Sequence, residues 1–378
     1  DISRFCGDRP EMQNLYPAQA LREFSTRLFE AAGLAQDRAA VMADVFLEAD
    51  LLGFTTHGMN RVAHNLRWLT DHRSRRQGEP KVLADRGNLL NWDADFLPGP
   101  WVVSAAIDQA LARVSERGLV CATIRRSQHI ACLGAYLPRI AEAGYLGIIT
   151  CSTPNEYTVC AHNGSDPIYS ANPFAFVAAD DDYPILFDLS LCVTAGGYVT
   201  RAQRLGEKLP GKFLKSRDGT VSDDPAVFFA DPPGSILPIG GLSHGYKGQA
   251  LSLMSEILSM ALAGYGRGDA SVAGDGEANS VFIQIIDPEA FCAREDYQRQ
   301  IRAFKKLADE SKADADDLEV RLPGKLAWRR RQRQLQQGVE LFPTIMQDIA
   351  PWAQRFGIDL PVSILRTRLN PQNTGKAG

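Results

Sequence analysis

A threonine, a histidine and an arginine lie close together near the start of the chain, at Thr56, His57 and Arg61. The sequence predicts a helix with Thr56 as its N-cap, which would place His57 and Arg61 four residues apart on one face. Arginine can grip a carboxylate with two hydrogen bonds while histidine contacts a neighbouring oxygen. The pair therefore predicts a site for a small carboxylate. An exposed polar face, or an ion pair of Arg61 with Asp50, would account for the same residues.

A second histidine, His129, follows an apolar run that predicts a strand over Leu119–Ile124, and a helix is predicted after it. Enzymes with α/β folds often place catalytic groups at such strand-to-helix turns. Histidine exchanges a proton near neutral pH, so His129 is a candidate acid or base. A loop histidine that is held by its own hydrogen bonds is the structural alternative.

Two charged residues stand at the ends of predicted elements. Lys247 opens a predicted helix over 247–263, where an ammonium group and a helix N-terminus together favour an anion such as a phosphate. Asp188 ends the predicted strand Ile185–Leu189 and could orient a histidine or a nicotinamide ribose. A solvated surface charge is the alternative at both positions, and Asp188 could also cap the next helix.

Familiar catalytic and nucleotide-binding motifs are incomplete. Residues 241–245 match the G-x-S-x-G pattern of a serine nucleophile, but the only histidine beyond Ser243 is its neighbour His244, so no separate base can complete a triad. Residues 264–268 lack the spacing of the G-x-G-x-x-G dinucleotide motif, and 240–247 lack that of a phosphate-binding P-loop. If a dinucleotide binds to this protein, it is therefore held in another way.

The bulk composition is that of an ordinary globular protein. A net charge of −4 offers no general attraction for nucleic acid, and we interpret the arginine-rich stretch 329–333 as a solvated helix face. Seven cysteines without a C-x-x-C pair argue against a disulfide framework and against a structural zinc site. No apolar stretch approaches the ~20 residues that span a membrane. The chain start lacks a signal-peptide core, so we expect a cytoplasmic protein without a metal, nucleic-acid or membrane partner.

The order of predicted elements indicates an α/β protein with a helical domain formed from both chain ends. Residues 1–78 are predicted as an N-terminal helical part, 79–290 as an α/β cofactor-binding domain, and 291–378 as a helical part that packs with the first and ends in a polar tail. The first part contains a helix from about Pro17 and a second that ends at Gly53. The α/β domain is predicted to alternate strands at 119–124, 146–150, 174–178, 185–189 and 281–286 with helices at 102–117, 133–143 and 247–263.

Seven short motifs occur in one order over about residues 14–360. Residues 56–61 are similar to S-H-G-x-x-R, 127–131 to S-N-H-F-G, 170–173 to G-T-N-P and 188–192 to D-M-[AS]-x-S. Further along the chain, 237–241 are similar to L-P-L-G-G, 246–248 to H-K-G-Y and 320–325 to V-x-x-P-G-E. Together they resemble the malate/L-lactate dehydrogenase family of the non-Rossmann, L-sulfolactate dehydrogenase-like type. Ureidoglycolate dehydrogenase, 2,3-diketo-L-gulonate reductase and Δ1-piperideine-2-carboxylate reductase are members of that family.

The resemblance implies a homodimer with the non-Rossmann L-sulfolactate dehydrogenase-like fold. It implies hydride transfer between NADPH or NADH and a small 2-oxo or 2-hydroxy acid or a cyclic imino acid. His129 or His57 would be the acid/base, and Arg61 with Thr56 would bind the substrate carboxylate. The resemblance also places a set of residues near the cofactor, namely Thr153, Phe187, Asp188, Leu189, Lys247, Gly324, Lys325 and Leu326.

Several positions depart from the family pattern, among them Asn65, Gln128, Tyr198, Lys215 and Lys325. The two lysines stand where acids are usual. A lysine beside the adenosine ribose attracts the 2′-phosphate that an acid repels, so we predict a preference for NADPH over NADH. The departures also leave open a second class of function, a catalytically silent or redirected ligand-binding protein on the same fold.

Overall fold

The computed structural model describes residues 14–272, 277–314 and 319–364. Cys6, the start of the chain and the polar tail at its end lie outside these ranges, so the expectations for them stay predictions. The six cysteines in the described ranges are free thiols. No helix in the same ranges is long and apolar enough to cross a membrane.

The described chain contains fourteen strands and ten α-helices. The strands are β1 (Asn14–Tyr16), β2 (Lys81–Asp85), β3 (Leu89–Asp93), β4 (Leu119–Ser127), β5 (Leu146–Ser152), β6 (Val159–Cys160), β7 (Pro167–Tyr169), β8 (Phe174–Ala178), β9 (Ile185–Leu189), β10 (Leu214–Lys215), β11 (Val221–Ser222), β12 (Ser235–Ile236), β13 (Asn279–Ile286) and β14 (Val339–Leu341). The helices are α1 (Ala18–Ala31), α2 (Gln36–Leu52), α3 (Val62–Thr70), α4 (Gly99–Arg117), α5 (Leu137–Glu142), α6 (Gly196–Leu205), α7 (Gly241–Glu256), α8 (Arg294–Asp309), α9 (Lys325–Gln337) and α10 (Pro343–Phe356).

A seven-stranded sheet with the order β2-β3-β4-β13-β5-β8-β9 forms the centre of the molecule. All neighbouring strands are antiparallel except β3 and β4. The five strands expected from the sequence are all in this sheet. Their apolar residues pack against the surrounding helices in one core. β4 runs on to Ser127, so His129 lies two residues beyond the end of a central strand.

The two chain ends meet beside this sheet. β1 pairs with β14, and α1 packs on α10 while α2 packs on α9. α2 ends where the sequence predicts, because Gly53 adopts a positive φ of 96° and its N–H caps the last turn. These contacts support a helical part built from both ends, while the boundaries at 78 and 290 stay predictions.

A smaller five-stranded sheet, in the order β11-β10-β12-β6-β7, was not expected from the sequence. It has its own core, in which Val159, Val199, Leu214 and Ile236 are buried. Its strands have only two or three residues, which is too short for a period-two pattern to be recognised. The helix expected at 133–143 also differs, because it begins as a 3₁₀ turn over Leu133–Tyr136 and only then becomes α5.

Candidate active site

The loop between α2 and α3 carries His57 and Arg61, and a buried carboxylate shapes it. Asp50 is 1% exposed, and its Oδ2 accepts a 2.6 Å hydrogen bond from the N–H of Met59. Gly58 is needed here, since a Cβ on it would come within 2.3–2.6 Å of the carboxyl group of Asp50. The loop is therefore wrapped tightly around one buried carboxyl group.

The helix predicted from Thr56 is absent, and that prediction is wrong. The segment turns over Asp50, forms a 3₁₀ turn at Met59–Arg61, and α3 begins only at Val62. The hydroxyl of Thr56 instead lies 2.8 Å from Nδ1 of His57. His57 and Arg61 consequently do not share a helical face.

Tertiary packing brings His57 and Arg61 together at His129. Arg61 Nε lies 3.3 Å from Nε2 of His129, while the rings of His57 and His129 stack at 5.7 Å between centroids and 9° between planes. The N–H of Ala131 points at the other ring nitrogen of His129, at 3.2 Å. A neutral imidazole accepts at only one of its two nitrogens, so these two contacts with His129 cannot both be full hydrogen bonds. The guanidinium of Arg61 can therefore exchange its contact with His129 for a stronger acceptor.

The histidines in this cluster are uncharged near neutral pH. Burial, together with the nearby charge of Arg61, lowers the pKa of His57 to about 4 and holds that of His129 well below its ordinary value. A third histidine, His64, has its pKa lowered to about 4 for the same reasons, but it packs on the ring of Trp68 at 4.2 Å. We interpret His64 as a packing residue.

Sequence reasoning missed two glutamates, Glu277 beside Arg61 and Glu156 on the adjoining segment. Oε1 of Glu277 lies 3.9 Å from a guanidinium nitrogen of Arg61. Burial raises the pKa of Glu277 to about 7, against the opposing effect of Arg61, and burial also raises the pKa of Glu156. The amide of Asn279 donates to the Thr153 hydroxyl at 3.0 Å and so joins the two segments that carry the glutamates. No sequence motif marks either glutamate, because each reaches the cluster only through packing of the sheet.

The residues expected near the cofactor gather in part along β9. Oδ2 of Asp188 accepts from the N–H of Gly134 at 2.7 Å, and burial raises the pKa of this carboxyl group to about 6. The ring of Phe187 stacks with two neighbouring phenylalanine rings, and Leu189 is exposed. Gly324 lies against the start of β9, where a Cβ would come within 2.6 Å of the backbone. The 324–326 turn and β9 are therefore neighbours.

The lysines expected near the cofactor lie in different surroundings. Nζ of Lys325 is held by Asp309 at 2.8 Å and Glu319 at 2.9 Å, while the adjacent Leu326 is exposed. Lys247 is exposed and does not open a helix: α7 begins at Gly241 and is interrupted by non-helical angles at His244. The predicted helix is present, and Lys247 lies in its first turn after the kink at His244, but the helix begins earlier than predicted, at Gly241. Among the described residues, no hydrogen bond, ion pair or ring contact links Lys247 to His129.

Protonation of the buried Asp50 should be visible in protein stability. Burial raises its pKa to about 8, whereas an unfolded aspartate titrates near about 3.9. Between these values the folded protein keeps a proton that the unfolded chain releases, so the free energy of unfolding falls as pH rises from about 4 to about 8. Asp50→Asn removes the titrating group, so the free energy of unfolding of the variant should not fall in this way. The difference in free energy of unfolding, variant minus wild type, should be more positive at pH 8 than at pH 5 by on the order of 3 kcal/mol.

Urea unfolding at pH 5 and pH 8 measures this difference. Asp359→Asn is a matched control, because Asp359 is exposed and its replacement should give the same small difference at both pH values. A stability difference for Asp50→Asn that does not change with pH would show that the folded protein holds Asp50 ionised.

The overall fold and these residues agree with one protein family. The family model for malate/L-lactate dehydrogenase matches residues 16–350 of the chain. The protein therefore belongs to the malate/L-lactate dehydrogenase family. It is a dehydrogenase, in a family whose named members act on hydroxy acids.

Individual relatives match over nearly their whole length. Hydroxycarboxylate dehydrogenase B of Escherichia coli strain K12 is 27% identical over 352 residues, which cover 92% of this chain and 96% of that protein. L-sulfolactate dehydrogenase of Methanothermobacter thermautotrophicus is 26% identical over 343 residues, covering 89% and 96%. The solved structure of Δ1-piperideine-2-carboxylate reductase from Pseudomonas syringae has 25% identity and a TM-score of 0.78, covering 90% of this chain and 99% of that one. The expected fold is confirmed.

Proposed function

We propose that the protein catalyses hydride transfer between a nicotinamide cofactor and the C2 atom of a small 2-oxo or 2-hydroxy acid, or of a cyclic imino acid. The observation that carries this proposal is the contact of Arg61 with His129, beside the stacked ring of His57. It supports the proposal because a group that can bind a carboxylate lies next to a group that can exchange a proton, as the reduction of a 2-oxo acid requires. A reduced cofactor, NADPH or NADH, supplies the hydride when bound.

Arg61 would bind the substrate carboxylate, with Thr56 beside it, and His129 would exchange the proton of the C2 oxygen. A carboxylate is a better acceptor for a guanidinium than a ring nitrogen, so the substrate would draw Arg61 away from His129. Nε2 of His129 is then free to face the reacting oxygen. His57, stacked on His129, is the alternative acid/base.

The low pKa of His129 fits this exchange. A neutral histidine can accept the hydroxyl proton when the hydroxy acid is oxidised. In the direction of reduction the histidine must hold a proton, and the charge of Arg61 opposes that. A carboxylate bound to Arg61 offsets this charge, so substrate binding would raise the pKa of His129 when the proton is needed.

The residues near β9 fit the parts of a nicotinamide nucleotide. The exposed side chains of Leu189 and Leu326 offer apolar surface for a flat ring, and Asp188 offers a carboxyl group for a ribose hydroxyl. Lys247 has no ion-pair partner among the described residues and is available to a phosphate. Roles for these residues, and for Thr153, Phe187, Gly324 and Lys325, are part of the proposal.

The experiment that tests the proposal follows absorbance of the nicotinamide band while a panel of 2-oxo acids and cyclic imino acids is added. Consumption of NADPH or NADH with at least one of these compounds supports the proposal. The alternative, a catalytically silent binding protein, predicts that the protein changes NAD(P)H fluorescence while no compound is reduced. A cytoplasmic location stays a prediction from the sequence.

The preference for NADPH over NADH depends on Lys215 and Lys325. Lys325 is already paired with two carboxylates, and Lys215 donates to the carbonyl of Gly164 at 2.9 Å. A 2′-phosphate would have to compete with these partners, so we expect Lys325 to contribute less than its charge suggests. A charge-assisted contact is worth about 1.5–3 kcal/mol, or about tenfold or more in kcat/KM.

The comparison is kcat/KM for NADPH and NADH with one substrate, in wild type, Lys215→Glu and the Lys215→Glu, Lys325→Glu double variant. Wild type should prefer NADPH, and the double variant should lose the preference. Equal use of both cofactors by wild type would mean that neither lysine selects the 2′-phosphate.

We further propose that the homodimer forms through the outer face of α7 and the π-helical turn Ile257–Ala261 that continues it. The side of this helix that packs on the protein carries small residues, while the large apolar residues point outward. The exposed set is Leu242, Tyr246, Leu251, Leu253, Met254, Ile257 and Leu262. Each of these residues leaves 36–55% of its surface exposed, and a standard interface buries ~800 Å² on each partner. A second copy of the chain would cover this surface.

Leu253→Glu with Ile257→Glu should convert the dimer into a monomer, because each copy would bring unpaired carboxylates into the apolar contact. Sedimentation equilibrium of wild type and the double variant gives the two masses. Leu205→Glu is the matched control, since Leu205 is an exposed leucine on α6. A wild-type monomer would contradict the proposed homodimer, and a dimer that survives both glutamates would place the interface elsewhere.

A further inference from the structure

Two acidic side chains, Glu277 and Glu156, lie at the proposed substrate site with Arg61. Glu277 lies 3.9 Å from the guanidinium group, too far for a close ion pair, and the side chains of both residues are 28–29% exposed. Glu156 lies three residues after Thr153, whose hydroxyl accepts from the amide of Asn279 at 3.0 Å, so the segments of the two glutamates adjoin each other. Glu156 is accessible to solvent although protein surrounds it, as is expected for a residue that lines a cleft.

The structure holds these glutamates in place by contacts other than Arg61. Arg267 donates to the carbonyl oxygens of Pro154 and Glu156 at 3.0 and 3.1 Å, and its guanidinium is fixed by Glu256 at 3.0 Å. The loop that carries Glu156 is therefore anchored from behind. On the other segment, the amide of Asn279, two residues after Glu277, donates to the Thr153 hydroxyl at 3.0 Å. The segments that carry the two glutamates are therefore held in place before any ligand arrives.

The charge balance of this cleft is unfavourable for a simple anion. Arg267 is paired with Glu256, so among the described residues Arg61 faces the carboxyl groups of Glu156 and Glu277. Burial raises the pKa of Glu277 to about 7, so this group is partly ionised near neutral pH, while His57 and His129 are neutral. A substrate carboxylate that binds Arg61 adds a further negative charge close to both glutamates. Like charges in a partly desolvated site repel each other, and a cation on the same substrate would remove the repulsion.

We propose that the substrate is a 2-oxo acid that also carries a positively charged nitrogen, and that Glu156 and Glu277 bind this nitrogen while Arg61 binds the carboxylate. The inference rests on the proposed function, because it assumes that Arg61 binds the substrate carboxylate. Glu156 and Glu277 are then specificity-determining residues. They select a substrate with both charges over one that carries only the carboxylate.

Three 2-oxo acids that differ in the charge of the distal group test the proposal. They are 5-guanidino-2-oxopentanoate with a cation, 2-oxohexanoate with a neutral chain and 2-oxoglutarate with a second carboxylate. Affinity is measured by calorimetry with the protein mixed with NADP⁺, which cannot reduce a 2-oxo acid, and kcat/KM is measured with NADPH by cofactor absorbance. We expect both quantities to fall at least about tenfold from the cationic to the neutral compound, and again from the neutral compound to the dianion.

Glu156→Gln and Glu277→Gln keep the shape of the side chain and remove its charge. In each variant the ratio of affinities for the cationic and the neutral compound should fall about tenfold relative to wild type. Glu207→Gln is the matched control, because Glu207 is an exposed acid on the turn after α6 and its replacement should leave that ratio unchanged. Because the two affinities in each ratio are measured on the same protein, a general loss of activity in a variant does not change the ratio.

Equal affinity of wild type for the cationic and neutral compounds would overturn the inference, even if 2-oxohexanoate is reduced and the proposed function stands. A weaker affinity of the two variants for oxidised cofactor, with an unchanged substrate ratio, would also overturn it and assign the glutamates to the cationic nicotinamide ring. Absence of reduction with every compound would count against the proposed function. The calorimetric ratio would still decide the inference in that case.

Discussion

Replacing His129 by alanine is expected to lower kcat by about 10²–10⁴-fold while the affinity for NADPH or NADH is kept. His129 is 5% exposed and lies against both Arg61 and His57. Its imidazole is therefore held next to the position that the C2 oxygen of a substrate bound to Arg61 would take. Without the imidazole the proton must be exchanged with water. Steady-state kinetics and cofactor fluorescence measure the two quantities separately.

The other two histidines of the cluster provide the comparison for His129→Ala. His57→Ala should cost less in kcat if His57 only supports the ring of His129 by stacking. His64→Gln should leave kcat close to that of wild type, because His64 packs against Trp68. Near-normal turnover in His129→Ala, together with a large loss in His57→Ala, would transfer the acid/base role to His57.

Arg61→Ala is expected to raise KM for the substrate by about 10–100-fold, since a hydrogen bond between charged groups is worth about 1.5–3 kcal/mol. Arg61→Lys should give an intermediate KM, because lysine keeps the charge but loses the planar fork that fits a carboxylate. The two variants should also differ in their pH dependence. Burial is the main reason that the pKa of His57 and His129 is low, and the positive charge at position 61 lowers it further. Removal of that charge should therefore move the acid limb of the pH–rate profile to higher pH, whereas lysine should largely preserve the profile.

The two Arg61 measurements can fail independently. An unchanged KM in Arg61→Ala would mean that the substrate carboxylate binds elsewhere. A raised KM with an unmoved pH profile would mean that Arg61 binds substrate but that the titrating group is not His57 or His129. In that case Glu277 would be the next candidate, since its pKa is raised to about 7.

Local features of the sequence predicted most of the large elements. α1 and α2 follow from apolar residues at helical spacing, and Gly53 ends α2 because glycine adopts the left-handed conformation without strain. The strands at 174–178 and 185–189 are present with the expected bounds. The expectation of a helix at Thr56 failed because Asp50 pulls the backbone of Met59 toward the buried end of α2, and this interaction is invisible to helical periodicity.

The sequence by itself determined which residue types could carry the chemistry, namely His57, Arg61 and His129, together with the fold to which their motifs belong. Only the tertiary structure decided that His57 and Arg61 meet at His129 and that Glu277 faces the same arginine. Periodicity and capping report on neighbours along the chain, because they arise from the geometry of a single helix or strand. Contacts between distant segments arise when the central sheet and the surrounding helices exclude water from a shared core, and that packing also sets the burial and the charges that shift the pKa values of the site.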